Sequence, residues 1–230
     1  MFALDAVVGV VYSAVLSTSH ALTPVFGGAA TAAALVLATV LVRLLLLPLT
    51  FRQIAVERRR TALAPQIEKL REKHKHDPLK AAAEVNVLYR AEGVGTATTL
   101  LPLLGQMPFF VVLYSLFRKS SVGGHPNALL GHKLFGVPLG AHWHDGAQFG
   151  VHGLVFVVVL ALLTAVATVS ARRLRRLGQP RLLTLAAFIT VVVATTVPLA
   201  SALYLLTTTT WTTLENALLR DRPAALPARE

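Results

Sequence analysis

The sequence has no cysteine and few acidic residues. It contains 230 residues, of which 11 are Asp or Glu and 22 are Lys or Arg. Without cysteine, the chain can form neither a disulfide nor a thiolate metal site. Charged residues make up 14% of the chain, whereas an ordinary soluble domain has roughly 25%. These absences exclude a disulfide-stapled domain and disfavour an ordinary soluble fold.

Apolar residues, at 54% of the chain, occur in long blocks. A helix needs roughly 20 residues to cross the ~30 Å hydrocarbon core of a bilayer. Three blocks have about this length and are predicted to be the first three spans: residues 29–50, 99–117 and 151–171. The composition therefore predicts a membrane protein built from helices.

The last apolar stretch, residues 182–219, is too long for one span. At ~1.5 Å per residue a single helix would be about twice the required length. Pro198 disfavours helix at the residue before it, so we expect a tight turn near Thr195–Pro198. The stretch then gives a fourth span, 182–196, and a fifth span, 198–219.

Basic residues gather in segments that five spans would place on one side of the membrane. Eighteen of the 22 Lys and Arg lie in residues 51–98, 172–181 and 220–230. The loop 118–150, on the other side, has three. Because cytoplasmic loops are enriched in Lys and Arg, we predict an external N-terminus, an extracytoplasmic loop 118–150, a basic cytoplasmic loop 172–181 and a cytoplasmic tail 220–230. This segmental pattern also disfavours a nucleic-acid-binding protein, whose basic residues would form a continuous patch.

Residues 1–28 precede the first span and are themselves partly apolar. Val8, Val11 and Val15 share one helical face, and no Lys or Arg precedes the apolar part. A cleaved signal peptide normally begins with basic residues. We therefore favour a retained amphipathic helix lying in the membrane interface over a signal peptide.

Residues 51–98 show helical spacing of apolar residues on both sides of Asp77-Pro78. The first pattern is formed by Ile54, Leu63, Ile67 and Leu70, and the second by Leu79, Val85, Leu88 and Ala91. Asp77 can cap the second helix, and Pro78 suits its first position. We predict a cytoplasmic helical hairpin that is either a solvated connector near anionic lipids or a docking surface for a partner or a nascent chain.

Arg43 is a full positive charge inside the first span. On insertion scales an arginine near the bilayer centre costs at least ~2.5–3.5 kcal/mol. Snorkelling towards the cytoplasm would relieve part of that cost. However, Thr39 and Thr50 share the helical face of Arg43, and a polar stripe around a charge favours a hydrated groove over lipid.

The last span carries a matching polar face. Tyr204, Thr208, Trp211 and Glu215 lie at helical offsets, and Gln106 adds a polar group in the second span. Threonine hydroxyls also bond to their own helix, and Trp is common at membrane interfaces. Each of these residues could therefore be present without any role in a groove. The groove that we predict consists of Arg43, Thr39, Gln106, Tyr204, Thr208 and Trp211.

Four segments, taken in this order, resemble the YidC insertases, which are bacterial relatives of the mitochondrial Oxa translocase. They are VRLLLLPL (42–49), APQIEKLREKHKHDPLKAAAEVNVLYRAEGV (64–94), LLPLLGQMPFFVVLY (100–114) and PLASALYLLTTTTW (198–211). The resemblance implies an all-α polytopic fold in the bacterial cell membrane, with five transmembrane helices around a hydrophilic groove plus the cytoplasmic hairpin. It matches Arg43 to the groove arginine of the family, and Thr39 and Tyr204 to positions that meet a client helix.

The same resemblance implies a membrane protein insertase and chaperone rather than an enzyme. No cofactor, metal or catalytic residue is expected. The implied partners are nascent client membrane proteins and lipids, with the Sec translocon and the ribosome as further candidates and no sequence-specific nucleic acid. The tail 220–230 is shorter than the ribosome-binding extension of some relatives, which disfavours strong ribosome tethering. One groove per chain suffices in principle, which favours a monomer.

Other functions could use the same polar surface. A secondary transporter or channel is the alternative, although it would show internal repeats and none is found in the sequence. An intramembrane protease would need a nucleophile and a base deep in the spans, whereas Ser115 and His152 lie near outer ends. A weak metal signal is given by His142, His144, Asp145 and His152, which we interpret as part of a solvated loop.

Overall fold

The structure, a computed structural model, describes residues 2–93, 111–112, 115–117, 119, 121–122, 125–144 and 150–220. Helices dominate these residues, and the strands among them form two very short hairpins, which confirms the all-α class. The chain divides into two compact units, Met1–Leu44 with Phe110–Glu230, and Leu45–Phe109. Most of the predicted second span, including Gln106, lies outside the described residues.

Helix α1 (Phe2–Phe26) leads through a 3-10 turn (Gly27–Ala29) into α2 (Ala30–Lys73). One face of α1 is buried: Val8 and Val15 are 1% exposed, whereas Val10 is 71% exposed. The helix therefore has one buried face and one exposed face, as the valine spacing predicts. Its location in the membrane interface stays a prediction.

Helix α2 does not end at residue 50, where we placed the end of the first span. It continues through Pro48 and Pro65 to Lys73. A proline removes one helical hydrogen bond and bends a helix without always ending it. The sequence also has no glycine between residues 29 and 92 that could form a helix C-cap. Helix α2 is therefore continuous across the predicted boundary between the first span and the hairpin, and the position of that boundary stays a prediction.

Within the unit Leu45–Phe109, the second part of α2 packs against α3 (Pro78–Ala91). Leu63 and Ile67 are buried, and the apolar residues packed on them are Val56, Val85, Leu88 and Tyr89. Arg60 lies over the ring of Tyr89, 5.5 Å from its centroid. This packing is that of a helical hairpin, and its apolar seam consists largely of the residues that the spacing singles out.

The start of α3 confirms the predicted cap. The Asp77 carboxylate accepts a hydrogen bond from the backbone N–H of Lys80 at 3.0 Å, and Pro78 occupies the first turn. The helix is followed by Gly93, whose φ of +68° suits glycine. Local sequence signals thus determine both ends of this helix.

Replacing Asp77 with alanine should weaken the first turn of α3 by about 1 kcal/mol, the usual value of an N-cap side chain. Amide hydrogen exchange of the full-length protein should then be roughly fivefold faster at Lys80, because its backbone N–H loses the side-chain acceptor. Asp77→Asn is the control, since asparagine caps equally well. Equal exchange in both variants would show that the cap does not hold the turn.

The extracytoplasmic loop predicted at 118–150 contains ordered structure. Strands β1 (Ser121–Val122) and β2 (His125–Pro126) pair antiparallel, and so do β3 (Lys133–Leu134) and β4 (Val137–Pro138). A single helical turn, α4 (Ala128–Gly131), lies between the two hairpins. The turn from β3 to β4 has positive φ at Phe135 and Gly136, as a type I′ hairpin turn requires.

This loop is attached to the helices of its own unit. The carbonyls of Ala141 and Leu139 accept hydrogen bonds from the backbone N–H groups of Leu199 and Ala200, at 2.9 and 3.0 Å. They therefore satisfy donors that the start of a helix leaves open. Thr31, at the start of α2, is hydrogen-bonded to Ser19 of α1 and to His132 of the loop.

The C-terminal part consists of α5 (Val151–Arg176), α6 (Arg181–Ala186), α7 (Ile189–Ala194), α8 (Leu199–Glu215) and a π-helical turn (Asn216–Arg220). The turn predicted near Thr195–Pro198 is present. The predicted fourth span is broken at Ala187–Phe188, where the Phe188 N–H bonds to Leu185 O with 3-10 spacing. A β-branched run follows, which lowers helix propensity.

Two described helical stretches, Ala6–Lys73 and Gly153–Arg176, are long and apolar enough to cross a membrane. The stretch Arg181–Ala194 is apolar but shorter. Helix length and composition in the described part of the chain thus agree with a membrane protein. They do not establish five spans, so that number stays a prediction.

Candidate intramembrane polar site

The contact between Arg43 and Thr208 is the centre of the candidate site. Arg43 Nε donates a hydrogen bond to Thr208 Oγ1 at 3.0 Å, and Nη2 donates to the same oxygen. Arg43 is half-buried, and Thr208 is 4% exposed. A hydroxyl acceptor carries no charge, so this contact orients the guanidinium without neutralising it.

Helix α8 presents further polar groups towards this contact. Tyr204, one turn before Thr208, is 3% exposed and is hydrogen-bonded to the Thr208 side chain. Glu215, two turns after Thr208, lies within electrostatic range of Arg43. The structure therefore brings together Arg43, Tyr204, Thr208 and Glu215, of which the predicted groove includes the first three.

Two further polar atoms are buried near the C-terminal end of α8, which the predicted topology places on the cytoplasmic side. Trp211 Nε1 and Glu215 Oε1 have no hydrogen-bond partner among the described residues. A buried polar group normally has one. Trp211, a predicted groove residue, therefore lies three residues beyond Thr208 with its indole N–H turned away from solvent.

Most other threonines near the site bond to their own helix. Thr39 is fully buried and donates to Leu35 O at 2.8 Å. Its place in the groove rests on its position one turn before Arg43, not on a side-chain contact with Arg43. The hydroxyls of Thr207, Thr209, Thr212 and Thr213 likewise donate to carbonyls four residues earlier. This pattern lets a helix carry many hydroxyls while leaving few of them unsatisfied.

Sequence reasoning missed a polar contact between α5 and α8. Ser170 and Thr213 are hydrogen-bonded through their hydroxyls at 2.9 Å. A lone serine in an apolar helix gives little signal, because it can equally bond to its own backbone. The contact joins the third predicted span to the fifth, on the part of α8 that carries Trp211 and Glu215.

The positive charge of Arg43 can attract an anion. A cation surrounded by apolar helices acts through a lower dielectric than water provides, so its attraction for a carboxylate is strengthened. Among the residues for which coordinates are described, no group of three or more His, Cys, Asp or Glu could hold a metal ion. The centre of the described site thus consists of one partly buried cation and neutral hydroxyl groups.

The hairpin of α2 and α3 carries a second polar surface. Two open clefts, of about 500 and 660 Å³, run along it. Arg71 and Lys75 line both clefts, and Glu68 and Glu72 line the larger one. His74 Nε2 lies 3.0 Å from Glu84 Oε1. The mixed charges are compatible both with a solvated connector and with a docking surface.

The chain matches the family model described as 60Kd inner membrane protein over residues 22–225. The membrane protein insertase YidC of Streptomyces avermitilis is 30% identical over 143 residues, covering 57% of this chain and 33% of the relative. The YidC insertase of Clostridium perfringens is 40% identical over 94 residues, covering 40% of each chain. That of Chlamydia caviae is 40% identical over 86 residues, covering 37% of this chain and 11% of the relative.

The matched part of the chain thus spans well under two thirds of the length of these relatives. The family match, by contrast, covers most of the chain. Together the matches confirm the resemblance to the YidC insertases that the four sequence segments indicate.

Proposed function

Because this chain belongs to the 60Kd inner membrane protein family, we propose that it is a membrane protein insertase. It would transfer the polar segment that flanks a client's transmembrane helix across the bilayer. The observation that carries the proposal is the contact of Arg43 with Thr208, a half-buried cation held by a neutral partner. Family membership also confirms the prediction that the chain is not an enzyme, since its relatives are named as insertases.

We further propose five spans around a hydrated groove, with an external N-terminus and a cytoplasmic C-terminus. The groove comprises Arg43, Thr39, Gln106, Tyr204, Thr208 and Trp211. Client membrane proteins and lipids are its partners, and the Sec translocon and the ribosome are partners to be tested. The distribution of Lys and Arg along the chain supports the orientation.

The groove would work by shortening the apolar distance that a polar segment must cross. Polar groups lose their water on entering hydrocarbon, which costs several kcal/mol per unpaired group. A half-channel that contains water and Arg43 would keep these groups solvated part of the way. Arg43 would transiently attract acidic residues of the segment, while the apolar helix of the client moves into lipid along the rim.

Release needs no nucleotide in this mechanism. Once the client helix has left the groove, its apolar side chains are in hydrocarbon, where transfer from water is favourable by about 25 cal/mol per Å² of apolar surface. The site only has to bind weakly enough to let the segment go. A threonine-held arginine, rather than a fixed ion pair, is suited to such transient binding.

Purified protein reconstituted in liposomes should insert a single-span client with a short translocated segment, measured as a protease-protected fragment. Liposomes without the protein should give little protection. Arg43→Ala, Thr39→Ala and Tyr204→Ala combined should lose most of the activity. The matched control combines Arg52→Ala, Thr61→Ala and Tyr12→Ala, which change the same residue types outside the groove. An inactive wild type would refute the insertase proposal, and equal activity of both triple variants would refute the groove.

A further inference from the structure

Glu215 is the one acidic residue in the apolar stretch 182–219. It follows Thr208 by seven residues, which is two helical turns, so the two side chains share one face of α8. Thr208 holds Arg43 on that face, and Glu215 lies within electrostatic range of the guanidinium. The positive charge of Arg43 is thus on α2 and the negative charge of Glu215 on α8, and the Arg43–Thr208 hydrogen bond joins the two helices.

One oxygen of Glu215 is poorly compensated. Oε1 is buried and has no hydrogen-bond partner in the described part of the chain. Burying an ionised carboxylate is costly unless a cation compensates it. Arg43 is such a cation, and it lies partly buried on α2 with a neutral hydroxyl as its direct acceptor.

Two other arginines are candidates for compensating the charge of Glu215. Arg220 follows it in the π-helical turn, and Arg173 lies three residues beyond Ser170, which bonds to α8 through Thr213. Both make interactions of their own. The test must therefore separate a dependence on Arg43 from a general effect of the basic end of these helices.

We propose that Glu215 is the resident counter-charge of Arg43 and that it sets how strongly the groove prefers acidic client segments. This inference rests on the proposed insertase function. Glu215 screens the guanidinium when no client is present, and an acidic client segment has to compete with it. The competition keeps binding weak, so acidic segments are attracted but not retained.

The absence of cysteine allows a direct measurement of the electrostatic potential in the site. Thr212→Cys places one thiol on α8 between Thr208 and Glu215, at a partly exposed position. The ratio of its reaction rates with an anionic and a cationic methanethiosulfonate reports the local potential. Glu215→Gln should raise this ratio about threefold. In an Arg43→Gln background the same change should have a smaller effect, because a buried carboxylate that has lost its cation is costly and the site is then expected to admit water that screens the charge.

The contrary results are distinct. An equal rise with and without Arg43 would show that Glu215 is compensated by another group, such as Arg220 or Arg173. No change in either background would place the carboxylate out of range. Glu215→Asp, which retains the charge, should keep most of the wild-type ratio, and Glu215→Ser removes the charge with a smaller side chain if Glu215→Gln folds poorly. Glu68→Gln, on the exposed face of the hairpin, controls for a change of net charge.

The functional readout uses two clients that differ only by two aspartates or two asparagines in the translocated segment. Glu215→Gln should raise the ratio of acidic to neutral client bound in the groove about threefold, and this gain should vanish without Arg43. A gain that persists without Arg43 would mean that Glu215 repels the client directly, which contradicts the proposal. The thiol measurement needs no insertion activity, so failure of the insertase proposal would be seen separately.

Discussion

Insertion of a client with two acidic residues in its translocated segment should fall about tenfold when Arg43 is replaced by alanine, with a much smaller effect on the neutral client. A tenfold change corresponds to about 1.4 kcal/mol. Two unit charges a few Å apart gain between about 1 kcal/mol in water and about 4 kcal/mol near a protein surface. A hydrated groove lies between these limits, so one Arg–carboxylate attraction accounts for the loss.

The variant Arg43→Lys separates the effect of the charge from the effect of the hydrogen bonds to Thr208. Lysine keeps the charge but loses the fork of N–H donors with which Arg43 contacts Thr208. If the charge matters most, the lysine variant should retain most of the insertion of the acidic client. Arg52→Ala, on the same helix but exposed, controls for the removal of an arginine. Equal losses for acidic and neutral clients would show that Arg43 acts through hydration or packing and not through attraction.

The polar face of the site could be predicted because it follows from helical geometry alone. Tyr204 and Thr208 are one turn apart, and the structure joins their side chains. Arg43 was identifiable because a charge in an apolar span is rare. The choice of Thr208 as its acceptor could not be predicted, since each threonine of α8 can bond either to its own helix or to another side chain, and only packing decides.

The ends of the helices likewise include some that local sequence determines and others that it does not. Asp77-Pro78 starts α3 because the cap is a contact between residues three apart. The length of α2 was not predictable from a change in hydropathy, since a backbone helix continues through such a change when no glycine or cap stops it. The break at Ala187–Phe188 lies in an apolar stretch without glycine or proline, and the β-branched run after it is too weak a signal to place a break at one residue.

The structure of loop 118–150 could not be predicted from the sequence for a different reason. Its strands are two residues long, which is too short for an alternating pattern to be recognised. One buried side chain, Asn127, 6% exposed, links several backbone segments of this loop. Asn127 Nδ2 donates to the carbonyls of Leu116 and Lys119 at 2.6 and 3.0 Å, and its Oδ1 accepts from Leu129 N at 3.2 Å.

Asn127→Ala should therefore open the loop, at a loss of about 3 kcal/mol in its local stability. The change leaves two carbonyls and one N–H without their partner, and each such buried group costs about 1–3 kcal/mol. Amide hydrogen exchange at Leu129 and Leu139 should become about a hundredfold faster in the reconstituted protein. Asn86→Ala, at an exposed position of α3, is the control and should leave the loop unchanged.

The same variant tests whether the loop supports the helix that carries the polar site. Leu139 and Ala141 of the loop accept the hydrogen bonds of Ala200 and Leu199 at the start of α8, and Tyr204 and Thr208 follow on that helix. If the loop holds the helix end, exchange at Leu199 and Ala200 should accelerate together with exchange at Leu129. Acceleration at Leu129 alone would show that the loop opens while α8 keeps its first turn, and that the geometry around Arg43 is independent of loop 118–150.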